Sequence, residues 1–425
     1  PLLENNGFSY KGYLNSSIDG QEETTIIPPN TWYQVNASEP DNSSAPPCGN
    51  YWGPFWDGTK VFGLNYSSIY YYDFATDKYS YETLTPLPGA GGFLAYWSVK
   101  QCGDYIICLW DGPYTPNNTM KGFKYHVPSK TWSAVSNTNI PAYRDDFMSV
   151  STGTTLIVWG GQNADYNYFG NGGIYDPVLD SWTTIATPNP LLNISSRIGG
   201  SAIWMGTQMF VWGGFRSVDA TSTTTHCAGT NYTAYTYYND GFKYTPATAG
   251  YSHIVPNTLS PRAFHAGVWT GTEMVVWGGN STSETVVATH YQDYTQTPPV
   301  DYWGCSTDYQ AASYKTGGKY NSATNTWTYM NPPAAIAIPE KPKMIWTGTG
   351  IIAYSENASK VYLYNPATNT WPNTYPDFPN AIKGDLISTG DKIFGFATCT
   401  SNNKMIGYAL SETDPVSIYR VLSTV

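Results

Sequence analysis

The stretch RAFHAGVWTGTEMVVWGG, residues 262–279, decides the fold because shorter copies of it recur along the chain. It consists of an apolar segment, a turn of the form x-G-T, and a second apolar segment that ends in Gly-Gly. Related turns begin at Trp56, Gln101, Ser151, Trp204, Trp269, Trp346 and Ser388. The apolar segments that follow them are KVFGL, YIICLW, LIVWGG, MFVWGG, MVVWGG, GIIAY and KIFGFA. Seven copies of one element indicate a repeat architecture.

A second signature follows each apolar segment, in which Tyr is followed seven residues later by Trp or Tyr. The pairs are Tyr72/Tyr79, Tyr125/Trp132, Tyr175/Trp182, Tyr244/Tyr251, Tyr320/Trp327 and Tyr364/Trp371, with a degenerate copy between Tyr408 and Tyr419. Turn formers separate the two aromatic residues, as in YNPATNTW. Each unit is therefore predicted to contain four short strands, and seven such units predict an all-β, seven-bladed β-propeller.

The units resemble kelch repeats, whose marks are a glycine pair after a hydrophobic strand and then Tyr and Trp at a fixed separation. Most units carry these marks, three have the full V-W-G-G form, and the resemblance covers about residues 45–425. It implies a kelch-type propeller of the secreted or cell-surface kind. It implies little about activity, because this fold carries both enzymes and binding modules.

The predicted domain boundaries place an N-terminal tail or arm at residues 1–30 and the propeller at residues 31–425. The seven units start near residues 48, 91, 143, 197, 262, 343 and 383. The N-T-W turn at Trp32 repeats that of Trp327 and Trp371, so residues 31–35 are a candidate for an extra strand that closes the ring. Residues 417–422 could fill the same slot. The arm could also pair with another subunit.

Composition excludes several classes of function. Aromatic residues make up 16% of the chain, charged residues 12%, and the net charge is −10. A nucleic-acid partner is not predicted, because binding phosphates needs clustered Lys and Arg. No apolar run approaches the roughly 20 residues of a membrane-spanning helix. No catalytic motif of the form G-x-S-x-G or H-E-x-x-H and no phosphate loop is present. No cofactor is predicted, and no metal site is predicted because His226, His265 and His290 have no short ligand spacing.

Cysteines and glycosylation sequons indicate an extracellular location. Cys227 and Cys305 lie in equivalent insertions of adjacent units and are predicted to form a disulfide; Cys48 and Cys399 could join the first and last units. Cys102 and Cys108 flank one hairpin turn and stay unassigned. Candidate glycosylation sites are Asn36, Asn42, Asn65, Asn117, Asn193, Asn231, Asn280 and Asn357.

Candidate binding residues lie on one face of the predicted propeller, called here the loop face, which carries the connections between second and third strands and the links between blades. Its insertions at residues 162–172, 215–240 and 280–315 are rich in Tyr, Ser, Thr, Gly and Asn, as in antibody binding loops. Tyr235 and Trp303 are therefore candidate ligand contacts. Further candidates lie near the channel mouth: Arg144, Arg197, Arg262, Arg216 and His265. Either the arginines bind a carboxylate or sulfate there, or they cap carbonyls between blades.

The sequence favours a binding or structural module that recognises a glycan or a surface protein through the Tyr-rich loops, and an enzyme is less favoured. One alternative is a carbohydrate-active enzyme, lyase-like or oxidase-like, with a central cationic pocket. The fold resembles that of kelch-like polysaccharide lyases, which use Tyr, His and Arg to abstract a proton beside a uronate carboxylate; Arg197, Arg262, His265 and a loop Tyr would take these roles here. The copper oxidases of this fold give no match residue by residue. A third alternative is a repeating subunit that assembles through its N-terminal arm.

Overall fold

The protein is described by a computed structural model of the 425-residue chain. The described residues are 22–27, 31–34, 52–64, 67–84, 97–110, 120–223, 227–254, 256, 258–293, 298, 300–330, 332, 342–355, 359–372, 377–378, 382–390, 392–397, 407–411 and 416–421. Within these ranges the helices are two single turns of 3-10 helix, Pro190–Leu192 and Pro246–Thr248. No helix in the described part of the chain has the length and apolarity needed to cross a membrane.

Two strands precede the first blade, β1 (Glu22–Ile27) and β2 (Thr31–Gln34). Blade 1 contains β3 (Trp52–Trp56), β4 (Lys60–Leu64), β5 (Ser68–Asp73) and β6 (Lys78–Thr83). Blade 2 contains β7 (Trp97–Cys102), β8 (Tyr105–Trp110), β9 (Lys121–His126) and β10 (Thr131–Ala134). Blade 3 contains β11 (Met148–Ser151), β12 (Leu156–Trp159), β13 (Gly172–Asp176) and β14 (Ser181–Ile185). In all three, each strand pairs antiparallel with the next.

Blades 4 and 5 each carry an inserted hairpin between their second and third strands. Blade 4 contains β15 (Ser201–Trp204), β16 (Met209–Trp212), β19 (Gly241–Thr245) and β20 (Gly250–Ile254), with hairpin 1 formed by β17 (Phe215–Thr221) and β18 (Asn231–Tyr237). Blade 5 contains β21 (Ala266–Trp269), β22 (Glu273–Trp277), β25 (Gly317–Asn321) and β26 (Thr326–Met330), with hairpin 2 formed by β23 (Asn280–Asp293) and β24 (Val300–Ser313).

The last blades close the ring. Blade 6 contains β27 (Pro342–Trp346), β28 (Ile351–Ser355) and β29 (Val361–Tyr364). Blade 7 contains β30 (Ile382–Ser388), β31 (Lys392–Ala397) and β32 (Gly407–Ser411), with β2 as its outermost strand. The last strand, β33 (Val416–Val421), pairs with β1 in a separate two-stranded sheet. The N-terminal segment therefore contributes a strand to blade 7, and residues 1–21 lie outside the described residues.

The first strands of successive blades contact one another around the whole ring, and the first strand of blade 7 contacts that of blade 1. The predicted all-β, seven-bladed propeller is confirmed. Each x-G-T turn contributes a glycine in the left-handed region, from Gly103 at φ 58° to Gly348 at φ 100°. A residue with a Cβ rarely adopts this conformation, which explains why glycine recurs at this position in all seven units.

Tryptophan from each V-W-G-G segment fills the space between two blades. The three indoles are fully buried, and each packs against an aromatic ring of the following unit. The ring centroids are 4.6 Å apart for Trp159–Phe242, 5.4 Å for Trp212–Trp327 and 5.7 Å for Trp277–Trp371. Burying about 200 Å² of aromatic surface at about 25 cal/mol/Å² contributes about 5 kcal/mol for each indole before entropy is subtracted.

The second glycine of each Gly-Gly pair lies directly against the segment that enters the blade. A Cβ on Gly279, which has φ 85°, would lie 2.5 Å from the carbonyl oxygen of Ala263. The corresponding distances are 2.5 Å between Gly214 and the Ile198 oxygen and 2.7 Å between Gly161 and the Asp145 oxygen. Both the close approach and the positive φ exclude a side chain, so packing alone accounts for the glycine pair.

In blades 1 to 6, the Tyr at the end of the third strand stands opposite the aromatic residue seven positions later. Tyr320 pairs with Trp327, for example, with ring centroids 5.3 Å apart. The residue five positions after the Tyr adopts left-handed φ of 49–56° in each turn: Asp77, Lys130, Asp180, Ala249, Asn325 and Asn369. Where this residue is Asp or Asn it accepts a hydrogen bond from the Tyr hydroxyl, as in Tyr320 Oη to Asn325 Oδ1 at 2.7 Å. Ala249 offers no such acceptor to Tyr244.

Candidate functional site

Three arginines occupy the same place in blades 3, 4 and 5, just before the first strand. Arg262 shows the arrangement: its Nε donates to the Ser260 oxygen at 3.0 Å, and its Nη1 donates to the Gly278 and Thr316 oxygens, each at 2.9 Å. Its Nη2 donates to Thr316 Oγ1 at 2.9 Å. The guanidinium also lies over the Tyr314 ring, 4.2 Å from its centroid. One side chain thus joins the blade entry, the Gly-Gly segment and the start of the third strand.

Arg144 and Arg197 repeat this arrangement with local substitutions. Each donates from Nη1 to the first glycine of its own Gly-Gly pair and stacks on an aromatic ring. The bonds are 2.9 Å from Arg144 to the Gly160 oxygen, 3.0 Å from Arg144 to Asn171 Oδ1, 3.2 Å from Arg197 to the Gly213 oxygen and 2.7 Å from Arg197 to Asp240 Oδ1. The stacking distances are 4.4 Å from Arg144 to Phe169 and 4.1 Å from Arg197 to Tyr238.

These contacts place the three guanidinium groups inside the protein. Arg144, Arg197 and Arg262 are exposed by 1%, 0% and 1%. Burial lowers the pKa of Arg144 and Arg262 to about 10, which still leaves both protonated at neutral pH. Most of their hydrogen bonds go to main-chain oxygens, and the side chains of Asn171, Asp240 and Thr316 accept the others. This is expected if the arginines cap carbonyls rather than form an open ring of cations for an anion. The lyase-like alternative requires Arg197 and Arg262 to line an accessible pocket, whereas both side chains are buried.

His265 is buried beside this cluster. Its Nε2 lies 2.8 Å from Ser201 Oγ, and its ring meets the Trp212 indole edge-on with centroids 4.9 Å apart. Burial, and then the charge of Arg262, lowers the pKa of His265 to about 3. The imidazole is therefore neutral at ordinary pH and holds neighbouring blades together at its Ser201 contact. Arg216, in contrast, is exposed on β17.

The two inserted hairpins pack against each other on the loop face. The predicted disulfide between Cys227 and Cys305 is confirmed, with their Cα atoms 5.7 Å apart. The amide of Thr233 on β18 donates to Glu284 Oε2 on β23 at 2.9 Å. The two long insertions predicted as binding loops, residues 215–240 and 280–315, form extended strands, and the 14 residues of β24 span about 45 Å. A covalent and hydrogen-bonded junction fixes the two hairpins relative to each other.

A cleft of about 440 Å³ opens between the hairpins and is called the hairpin cleft below. Its lining consists of tyrosines, small hydroxyl residues, an amide and apolar groups: Tyr235, Tyr237, Pro261, Ser281, Thr282, Ser283, Gln310, Ala311, Ala312 and Tyr314. The ring of Tyr235 packs edge-on against that of Tyr309, with ring centroids 6.4 Å apart. Burial, and then the hydrogen bond with Tyr309, raises the pKa of Tyr235. The Tyr235 phenol therefore stays neutral, and no Asp, Glu, Lys, Arg or His is among the described residues that line the cleft.

Trp303 lies away from this cleft. It stands opposite His290 at the far part of hairpin 2, with ring centroids 4.9 Å apart, and is 43% exposed. Tyr309 follows it by six positions, or about 20 Å along an extended strand. The structure therefore does not bring Tyr235 and Trp303 into one site, and Gln310, Thr282 and Tyr237 are the cleft residues that the sequence did not single out.

A second cleft, of about 640 Å³, lies on the opposite face between blades 1 and 2. Its walls carry charged groups, and both of its lysines are paired with carboxylates of the protein. Lys130 Nζ lies 2.6 Å from Glu82 Oε1, and Lys60 Nζ lies 3.4 Å from Asp73 Oδ2. A ligand there would have to replace existing ion pairs, which makes this cleft a weaker candidate than the hairpin cleft.

The remaining predicted residues have separate locations. Cys102 and Cys108 are free, buried thiols; burial raises the pKa of Cys102 to about 11 and raises that of Cys108 further. Cys48, Cys399 and His226 lie outside the described residues. Among the sequons, Asn193 and Asn231 are exposed and Asn280 is half-buried, whereas Asn36, Asn42, Asn65, Asn117 and Asn357 lie outside the described residues.

No group of three or more His, Cys, Asp or Glu side chains within the described ranges is placed to hold a metal ion. No protein-family model matches the sequence.

The sheet topology defines the molecule as a seven-bladed β-propeller, a scaffold suited in general to a binding or structural role.

Proposed function

We propose that the protein is an extracellular, kelch-type binding module and that its ligand is a neutral glycan held in the hairpin cleft. The observation that supports this most is the chemistry of the cleft, whose polar groups are hydroxyls and one amide. Such groups both donate and accept hydrogen bonds and therefore match sugar hydroxyls without requiring a charge on the ligand. Tyr235 and Tyr237 add aromatic faces against the apolar faces of sugar rings.

Rigidity of the cleft supports the same proposal. The two walls belong to different blades, and the Cys227–Cys305 disulfide and the Thr233–Glu284 hydrogen bond hold them together before a ligand arrives. A preformed site loses less conformational entropy on binding than mobile loops would. The disulfide also supports the proposed extracellular location, because such bonds persist in oxidising compartments.

The proposal is tested by screening the purified protein against a glycan array and measuring the strongest neutral hits by calorimetry. Tyr235→Ala and Gln310→Ala are expected to weaken binding about tenfold or more, equivalent to about 1.4 kcal/mol. Tyr81→Ala is the matched control, because Tyr81 is 63% exposed on the remote blade 1. Trp303→Ala tests whether a longer glycan also reaches the far part of hairpin 2.

Three results would contradict the proposal. One is the absence of any glycan bound above background, and another is unchanged affinity in both cleft variants. The third is preferential binding of uronates or sulfated glycans, because the cleft offers no cation to neutralise them. Capture of a surface protein that survives enzymatic removal of its glycans would instead support protein recognition.

A further inference from the structure

Strand β24 has an open edge on hairpin 2. Tyr314 donates its amide to the Gly279 oxygen at 2.9 Å, which places this pair on the hydrogen-bonded ladder of the hairpin. The register between β23 and β24 continues without a bulge from Ser313 to Val300. Because antiparallel ladders alternate, the N–H and C=O groups of Ser313, Ala311, Tyr309 and Thr307 point away from β23. In the described part of the chain, no strand pairs with this side of β24.

The opposite edge of the hairpin pair, formed by β17, is partly covered. On β17, the amide of Ser217 donates to Tyr168 Oη of blade 3 at 2.8 Å, so that edge is partly covered by the preceding blade. Blade 6, which follows hairpin 2, has only residues 356–360 between its second and third strands. Five residues are too few to build a third hairpin beside β24. The open edge therefore follows from the unequal lengths of the insertions.

The sequence of β24 lacks the usual protection of exposed edges. Natural edge strands avoid pairing through Lys, Pro, bulges or inward charges. Residues 300–313 contain no Lys, Arg or Pro, and Asp308 is the single acidic residue between positions 302 and 313. Every residue from 305 to 313 is exposed. A long, regular and nearly uncharged strand is thus presented to solvent.

We propose that this edge pairs with the same edge of a second copy of the chain, forming a twofold-symmetric antiparallel dimer. The outward groups occur at every second residue, so an antiparallel copy matches donors to acceptors with itself. A twofold axis at Thr307 places Asp308 opposite Ser306 of the second copy, and an axis at Tyr309 places Asp308 opposite Gln310. Both registers avoid facing like charges, and they create Thr–Thr or Tyr–Tyr cross-strand pairs.

The dimer is expected to depend on protein concentration, since a single pair of strands is a small interface. Each copy carries a net charge of −10, so repulsion opposes association and added salt screens it. The proposal therefore predicts a dimer that becomes stronger as ionic strength rises. An interface held together by opposite charges would show the reverse.

Sedimentation velocity and light scattering over a concentration series test the proposal. Thr307→Pro removes an outward amide, and Thr307→Lys adds a charge to the edge; both are expected to raise the dimer dissociation constant at least about tenfold, or 1.4 kcal/mol. Val218→Lys is the matched control, because it makes the same charge change on the 48% exposed Val218 of β17. Circular dichroism and melting temperature verify that each variant is folded.

A wild-type dimer that dissociates in both Thr307 variants and persists in the Val218 variant is the expected result. The proposal is overturned by a monomeric wild type at the highest concentration, by dimers that survive both Thr307 variants, or by dimers lost equally in the Val218 variant. A wild type that stays monomeric yet binds an extended segment of another protein through Thr307 also overturns it. The Thr307 substitutions leave every residue that lines the hairpin cleft unchanged, so the dimer can be tested separately from glycan binding.

Discussion

Replacing Arg262 with Met is expected to destabilise the propeller without removing a ligand site. The substitution keeps a long, flexible side chain but removes every donor of the guanidinium. The carbonyl oxygens of Gly278 and Thr316, each 2.9 Å from Nη1, then lose this partner in a buried position. The contact between the cation and the Tyr314 ring is lost as well.

The magnitude follows from the two carbonyl groups. A buried polar group without a partner costs about 1–3 kcal/mol, so two cost about 2–6 kcal/mol. Breaking one side of a buried charged network costs about 3–5 kcal/mol, which agrees. With 425 residues, the entropy of unfolding near the melting temperature is about 0.9 kcal/mol/K. A loss of about 4 kcal/mol therefore lowers the melting temperature by about 4–5 °C.

Differential scanning calorimetry of Arg262→Met, with Arg216→Met as the control, measures this effect. Arg216 is exposed on β17, and its substitution is expected to change stability by less than about 0.5 kcal/mol. Arg262→Lys should lie between the two, because an ammonium group cannot span the positions reached by the planar guanidinium. An Arg262→Met melting temperature equal to that of the wild type or above it would refute the structural role and restore the alternative of an anion site.

Three further predictions concern pH, the repeated turn and the disulfide. Between pH 7 and pH 5 the wild type should lose about 2 kcal/mol more stability than His265→Asn, as measured by urea titration. Burial lowers the pKa of His265 in the folded protein from 6.5 to about 3, so the unfolded state takes up the proton first as the pH falls. Parallel pH profiles of the two proteins would contradict this. Tyr320→Phe should cost about 1 kcal/mol by chemical denaturation, whereas Tyr244→Phe, which loses no comparable bond, should be nearly neutral. Replacing Cys227 and Cys305 with Ser opens a link across 78 residues and should lower stability by up to about 4–5 kcal/mol, with weaker glycan binding because the cleft walls separate; unchanged melting and binding would be inconsistent with both expectations.

The repeating part of the fold was predictable because its constraints are local. Gly279 is required by a close approach within its own blade, and the Tyr320–Trp327 pair spans one turn of a hairpin. Such constraints leave a fixed spacing in the sequence each time they recur. The Cys227–Cys305 disulfide was predictable for the same reason, since the repeat places both insertions at equivalent points of adjacent blades.

The environment of the arginines and the shape of the cleft were not predictable in the same way. Arg262 is buried because Gly278 and Thr316, 16 and 54 residues later, enclose it, and no short motif joins the three positions. The nearest signal is an aromatic residue shortly before each third strand, such as Tyr314. The shape of the cleft depends on how two hairpins from different blades pack against each other. The composition of either insertion alone does not specify this packing.

Hydrogen–deuterium exchange with and without the neutral glycan that binds most tightly tests the central claim most directly, because it locates the ligand on the whole molecule. The account predicts slowed exchange in residues 231–237, 280–284 and 310–314, where both hairpins meet at the cleft. Slowed exchange confined to the cleft of blades 1 and 2 around Lys60 and Lys130, or to the entries of the blades around Arg262, would contradict it.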